Sequence, residues 1–127
     1  MAIKFKTLPR KNPLDRTAPS KFYAAVTANG SVDFELLSEM ISEQSALSET
    51  DVLAVLDRLE TNIVRELSQG RIVRLGKLGN FQISLSSKGY DTEAEVTVDA
   101  IKNSRILFRP TARLRTLLTD LKYSRIS

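Results

Sequence analysis

Two hydrophobic periods alternate along the chain, and the points where they switch divide it into elements. Ile3-Lys-Phe-Lys-Thr-Leu8 alternates and predicts a short strand. Phe22 to Thr27 is rich in β-formers, ends at the turn pair Asn29-Gly30, and predicts a second strand that pairs with the first or with a sheet edge. Pro9, Pro13 and Pro19 exclude helix between them and predict an extended linker. From Asp33, a plausible N-cap, Leu36, Leu37, Met40 and Ile41 predict a helix over about 34–44. Ser48-Glu-Thr-Asp51 then resembles a capping box opening a longer helix to about Gln69, with Gly70 as its C-cap. Its stripe is Val52, Leu53, Leu56, Leu59, Ile63, Val64 and Leu67. One short neighbouring helix cannot cover so wide a face, so packing against a partner subunit is expected.

Period two returns at Arg71-Ile-Val-Arg-Leu75 and Asn80-Phe-Gln-Ile-Ser-Leu85, a predicted hairpin joined through Gly76 and Gly79. Ser86 to Asn103 is polar, with a weak alternation over Ala94–Val98 that would suit a strand. Arg105-Ile-Leu-Phe-Arg109 is a strand, and Pro110-Thr111 opens a closing helix to about Leu121, with Leu114, Leu117, Leu118 and Leu121 as its buried face.

Composition narrows the functional classes. At 127 residues and 42% hydrophobic content, the chain has the material for one globular domain with a short appendage. No apolar run reaches the length of a membrane helix, and the N-terminus has no signal-peptide core, so a cytoplasmic location is expected. Without Cys or His there is neither a disulfide nor a thiolate zinc site, and the commonest general base is missing. A binding protein is favoured over an enzyme, with no cofactor, metal or small-molecule substrate. Asp91, Glu93 and Glu95 alternate but lack the spacing of a calcium loop.

Charge is segregated. Residues 1–30 carry +5, residues 31–69 carry −7, and residues 70–127 carry +6, within a net +4. One basic face for a polyanion and one acidic face turned away would account for this, as would simple solvation of a surface.

The order helix, helix, hairpin, arm, strand, short helix resembles the bacterial histone-like DNA-binding proteins of the HU/IHF family over about residues 31–121. Three segments carry the likeness. Val73-Arg-Leu-Gly-Lys-Leu-Gly-Asn-Phe81 is similar to the family's GxF hairpin, Phe108-Arg-Pro-Thr-Ala-Arg-Leu-Arg-Thr-Leu-Leu118 to its FKxGKxLK segment, and Leu47-Ser-Glu-Thr-Asp51 to its LTKKD segment. The resemblance implies an α+β fold: a helical layer on a β-sheet saddle with a projecting β-arm at about 86–104. That body spans 31–127, preceded by an N-terminal β-extension and Pro-containing linker over 1–30 that looks like the mark of a variant subgroup. It implies a nucleoid-associated, architectural homodimer on double-stranded DNA, with Gly79 at a tight turn and Leu56, Leu59, Ile63, Phe81 and Phe108 in the dimer core. Family arms are tipped by a Pro that wedges between base pairs. Here residues 82–107 contain no Pro, Ser84 and Ser86 stand where the family has arginines, and Lys88 and Lys102 are outnumbered by Asp91, Glu93, Glu95 and Asp99. Sharp bending is therefore not expected.

Arg109 and Arg115 align with family lysines that touch phosphates, and Arg113 shares their helix, so the resemblance makes all three candidate contacts, against a solvated helix face. Arg71, Arg74, Lys77 and Arg105 lie on or beside the sheet, where alternation lets only some of them share a groove, and Lys88 of the arm is a further candidate contact. Lys4, Lys6, Arg10 and Lys11 form a basic arm that suits either a phosphate backbone or the protection of an edge strand. The alternative to DNA binding is a protein-interaction module on an HU-like scaffold, suggested by the acidic arm and the extra strands.

Overall fold

The computed structural model describes residues 2–126. It is α+β, as expected, with six strands and three helices among the described residues: β1 (Ile3–Arg10), β2 (Lys21–Thr27), α1 (Phe34–Glu43), α2 (Glu49–Ser68), β3 (Val73–Leu75), β4 (Gly79–Ser87), β5 (Ile101–Pro110), α3 (Ala112–Leu117) and β6 (Tyr123–Arg125). These form two compact units, one over Phe34–Thr116 and the other from the described parts of Met1–Asp33 and Leu117–Ser127.

In the larger unit the two main helices start and stop where local chemistry directs. Ser48 is extended and its side chain accepts the Asp51 N–H at 3.1 Å, satisfying one orphan donor of α2. At the other end Gly70 takes φ +78°, its N–H donates to the Leu67 carbonyl and the Arg71 N–H reaches back to the Glu66 carbonyl, a Schellman closure. The Arg71 side chain pairs with the Glu66 carboxylate. Val52 and Leu67 are buried, and Leu56 and Ile63 are half-buried on the same side. The rest of the expected stripe, Leu53, Leu59 and Val64, is exposed, as are Phe34, Leu36 and Met40 of α1.

The sheet of this unit has the order β3-β4-β5, antiparallel throughout. Gly76, at φ +54°, makes the β3–β4 turn. Gly79 does not turn the chain; it lies at the start of β4 beneath the Phe108 ring. The Phe81 and Phe108 rings meet at 4.9 Å between centroids. The β4–β5 ladder runs to Ser87 and Ile101 with an irregularity at Ser86/Ser87, and Lys88 N–H adds a bond to the Ala100 carbonyl. Beyond it, Glu93–Glu95 and Val98–Ala100 are single 3-10 turns, not the strand suggested by the alternation over 94–98. Thr92 Oγ1 donates to Glu95 Oε1, a local bond that favours a turn over extension. The closing helix is also shorter than expected, ending at Leu117, with Leu117 and Leu118 exposed and only Leu114 and Leu121 half-buried.

The smaller unit is a sheet of order β2-β1-β6. β1 and β2 are antiparallel from Lys4↔Thr27 to Arg10↔Lys21, so the strand continues through Pro9. That is tolerated because β6 covers only Ile3–Phe5, leaving β1 a free edge at Pro9. β6 is parallel to β1, a pairing with no signal in the sequence.

Candidate nucleic-acid interface

Register decides which cations of the larger unit act together. Side chains alternate across a strand, so the partners Arg74↔Asn80↔Arg109 form one row across all three strands. Two residues along β4, Gln82 lies in the same face opposite the half-buried Leu107, then Ser84 opposite Arg105, then Ser86 opposite Asn103. The opposite face holds Val73 and Leu75 of β3, Phe81, Ile83 and Leu85 of β4, and Ile106 and Phe108 of β5. One face of the sheet is thus mainly apolar, and the other carries three arginines among polar neighbours, with Leu107 between Arg105 and Arg109.

Across two inter-strand steps Arg74 and Arg109 stand about 10 Å apart at the backbone, and Arg105 lies about 13 Å from Arg109 along β5. None of the three has a carboxylate within ion-pairing distance among the described residues, where the one ion pair is Arg71 with Glu66. Each guanidinium keeps its planar fork of donors available for a phosphate, with Asn80 and Gln82 as neutral donors between them and Asn103 just beyond Arg105.

The remaining expected contacts are distributed around this face. Thr111 N–H donates to the Leu78 carbonyl at 3.0 Å, and its Oγ1 donates to the Lys77 carbonyl. These bonds fasten the β3–β4 turn to the start of α3, bringing the Lys77 backbone beside the segment that carries Arg109, Arg113 and Arg115. Arg113 and Arg115 are exposed on α3. Lys88 lies at the foot of the arm, past the arginine rows, with its ammonium 5.8 Å from the Tyr90 ring centroid. Lys4, Lys6 and Arg10 belong to the smaller unit, sharing one face of β1, with Lys11 just past its end. Of the expected dimer-core residues, Phe81 and Phe108 touch, Leu56 and Ile63 are half-buried, and Leu59 is exposed.

Sequence reasoning missed Asn80, Gln82, Asn103 and the fastening role of Thr111. The even spacing of Arg105 and Arg109 was a usable sign of a common face. The addition of Arg74 to it required the pairing register.

Comparison with known proteins then places the chain. Residues 1–125 match the family model described as HU-HIG, an HU domain fused to wHTH, Ig, or Glycine-rich motif. The chain belongs to this family. Its fold is also that of a crystal structure described as a "Putative bacterial DNA binding protein" from Bacteroides vulgatus ATCC 8482, at TM-score 0.60 and 12% identity over 98% of this chain. The HU-like chain spans 48% of that structure's length. No curated protein matches the sequence.

Proposed function

We propose that this HU-like protein binds double-stranded DNA as a homodimer, holding phosphates with the arginine face of the β3-β4-β5 sheet. The observation that carries the reading is the register that puts Arg74, Arg105 and Arg109 on one polar face, unpaired with carboxylates among the described residues. Lys77, Arg113 and Arg115 extend the basic surface at the fastened turn and helix. Phosphates carry no sequence information, so binding is architectural and largely sequence-independent, of the nucleoid-associated kind. The 89–99 tip has four carboxylates and no Pro to wedge between bases, so the duplex is held without a sharp kink. A binding role, not catalysis, fits a chain without His or Cys.

The dimer rests on exposed apolar area. The chain exposes 11033 Å². Two compact bodies of the sizes of its units, held fully apart, would together expose about 8,000 Å². The excess of roughly 3,000 Å² is on the scale of an obligate interface. It includes exposed apolar residues of α1 and α2 and the apolar side of the sheet, where Ile83, Leu85, Ile106 and Phe108 are exposed.

Salt titration of duplex binding tests the function. Six phosphate contacts give a log–log slope of roughly −5. Reversal of the three sheet arginines, Arg74→Glu/Arg105→Glu/Arg109→Glu, changes both protomers of the homodimer and should flatten the slope by about 5. A wild-type slope near zero would overturn DNA binding. The second reading, a protein-interaction module, draws on β2, an edge strand in its sheet with Phe22 and Val26 exposed. It is favoured if duplex binding is absent while the dimer persists.

A further inference from the structure

The smaller unit has a basic surface of its own. Lys4, Lys6, Leu8 and Arg10 share one face of β1, and the register brings Lys21 opposite Arg10 and Tyr23 opposite Leu8 on that face. Like charges directly opposite on neighbouring strands cost stability, so the Arg10–Lys21 pair is a local rule broken with no carboxylate brought in to offset it. The Arg10 guanidinium lies over the Tyr23 ring, 5.6 Å from its centroid. Stacking limits the rotamers of Arg10 while leaving the donor edge of the guanidinium open, which prepares it for an oxyanion.

The connection from Lys11 to Ser20 closes one end of this face. Asn12 Oδ1 accepts the Leu14 N–H at 2.9 Å, and Asp15 Oδ1 accepts from the Thr17 N–H at 3.1 Å and the Thr17 hydroxyl at 2.6 Å. These turns leave an open concavity of about 470 Å³ whose lining includes Arg10, Lys11, Lys21, Tyr23 and Asn12. Asp15 is the sole acid among residues 1–30; it is outside that lining and its carboxylate is engaged by Thr17. Three cations therefore surround one hollow with no anion in its wall.

We propose that this concavity is a second phosphate-binding site, seating one phosphodiester of a nucleic-acid backbone independently of the arginine face of the larger unit. Lys4 and Lys6 continue the same face from the hollow, and the row from Arg10 to Lys4 is about 20 Å long. A row of that length suits a backbone with many phosphates better than a single small anion. One chain then grips nucleic acid at two places, which allows it to tether two segments of duplex. The inference shares its ligand chemistry with the proposed function but rests on different residues.

Two measurements test it. Inorganic pyrophosphate is titrated while the amide resonances are followed. Saturable shifts concentrated at residues 10–23 are expected, and these should vanish in Arg10→Glu/Lys21→Glu with the remaining spectrum unchanged. Binding of a 20-base-pair duplex is then measured against salt for the same protein, where the slope should flatten by about 2. Arg10→Gln/Lys21→Gln, which removes charge without reversing it, should act in the same direction if the reversal disturbs the hairpin. The Arg74→Glu/Arg105→Glu/Arg109→Glu protein should keep a residual, salt-dependent affinity that the added Arg10 and Lys21 changes abolish. A wild-type slope in both N-terminal variants overturns the site, even if pyrophosphate binds. Failure of the sheet reading looks different, since the triple-arginine variant would then keep the wild-type slope while the N-terminal variants lose theirs.

Discussion

A Cβ added at Gly79 would lie 2.5 Å from Phe108 Cζ and 2.7 Å from the Arg109 carbonyl oxygen, distances no real side chain tolerates. Gly79→Ala must therefore displace the ring that seats Phe81, or the strand behind it, and should cost about 1–3 kcal/mol in urea denaturation. Gly89→Ala meets open space at an ordinary φ and should stay within about 0.5 kcal/mol. The sequence marks Gly79 as structural, but a turn-like neighbourhood suggests backbone angle as the reason. The actual reason is the room taken by Phe108, which becomes visible only once Gly79 and Pro110 are known to be partners. Asp15 gives a second residue-level prediction. Hydrogen bonds from the Thr17 side chain and backbone hold its carboxyl below the ordinary value of 3.8. The lowered folded value means that the turn's support is present above the ordinary carboxylate range and is lost as pH falls through the folded value. An NMR titration of the Asp15 carboxyl should give a midpoint below 3.8, moving back toward it in Thr17→Val, which keeps the N–H donor and removes the hydroxyl.

At the scale of elements, what the sequence discloses depends on how local the cause is. The start and end of α2 are set by Ser48 and by Gly70 within a few residues of each, so its bounds could be read closely from the chain. Ser48→Ala should cost about 1 kcal/mol by stranding the Asp51 N–H. Gly70→Ala should cost about 1–2 kcal/mol because it forces a side chain to φ +78°. By contrast β6 is three residues long, and its partner is at the opposite end of the chain, so no periodicity announces it. The arm tip was also misread, since alternation over five residues cannot outweigh turns that close on their own polar side chains. That tip bears on function through its charge. With Asp91, Glu93, Glu95 and Asp99 in one short loop, it repels phosphates. Replacing the four with Asn or Gln should raise duplex affinity several-fold at low salt, an advantage that fades as added salt screens the loop. Unchanged affinity at low salt would place the tip away from the bound duplex.

Assembly is the property of the whole molecule that the exposed apolar residues bear on most directly. Among the described residues, the buried hydrophobic side chains are Val52, Leu67 and Ala100, a small core for a domain of this length. In the proposed homodimer, stability comes from surface that a single chain leaves open, so folding and association should be one event. The melting temperature is then expected to rise with protein concentration, and sedimentation equilibrium should show a dimer with little folded monomer. Leu59 allows a sharp version of the test. In the single chain it is 41% exposed, although it lies two helical turns from the buried Val52 on the same stripe of α2. If the chain worked alone, Leu59→Glu would be a surface change within about 0.5 kcal/mol. In the proposed dimer, the substitution buries an unpaired carboxylate in the interface and should cost several kcal/mol. The protein should then appear as dissociated, largely unfolded chains at micromolar concentration, with its duplex binding lost although no basic residue has been touched. A folded, DNA-binding monomer from Leu59→Glu would sever the link between assembly and grip, and would return the apolar faces of α1, α2 and the sheet to the search for another partner.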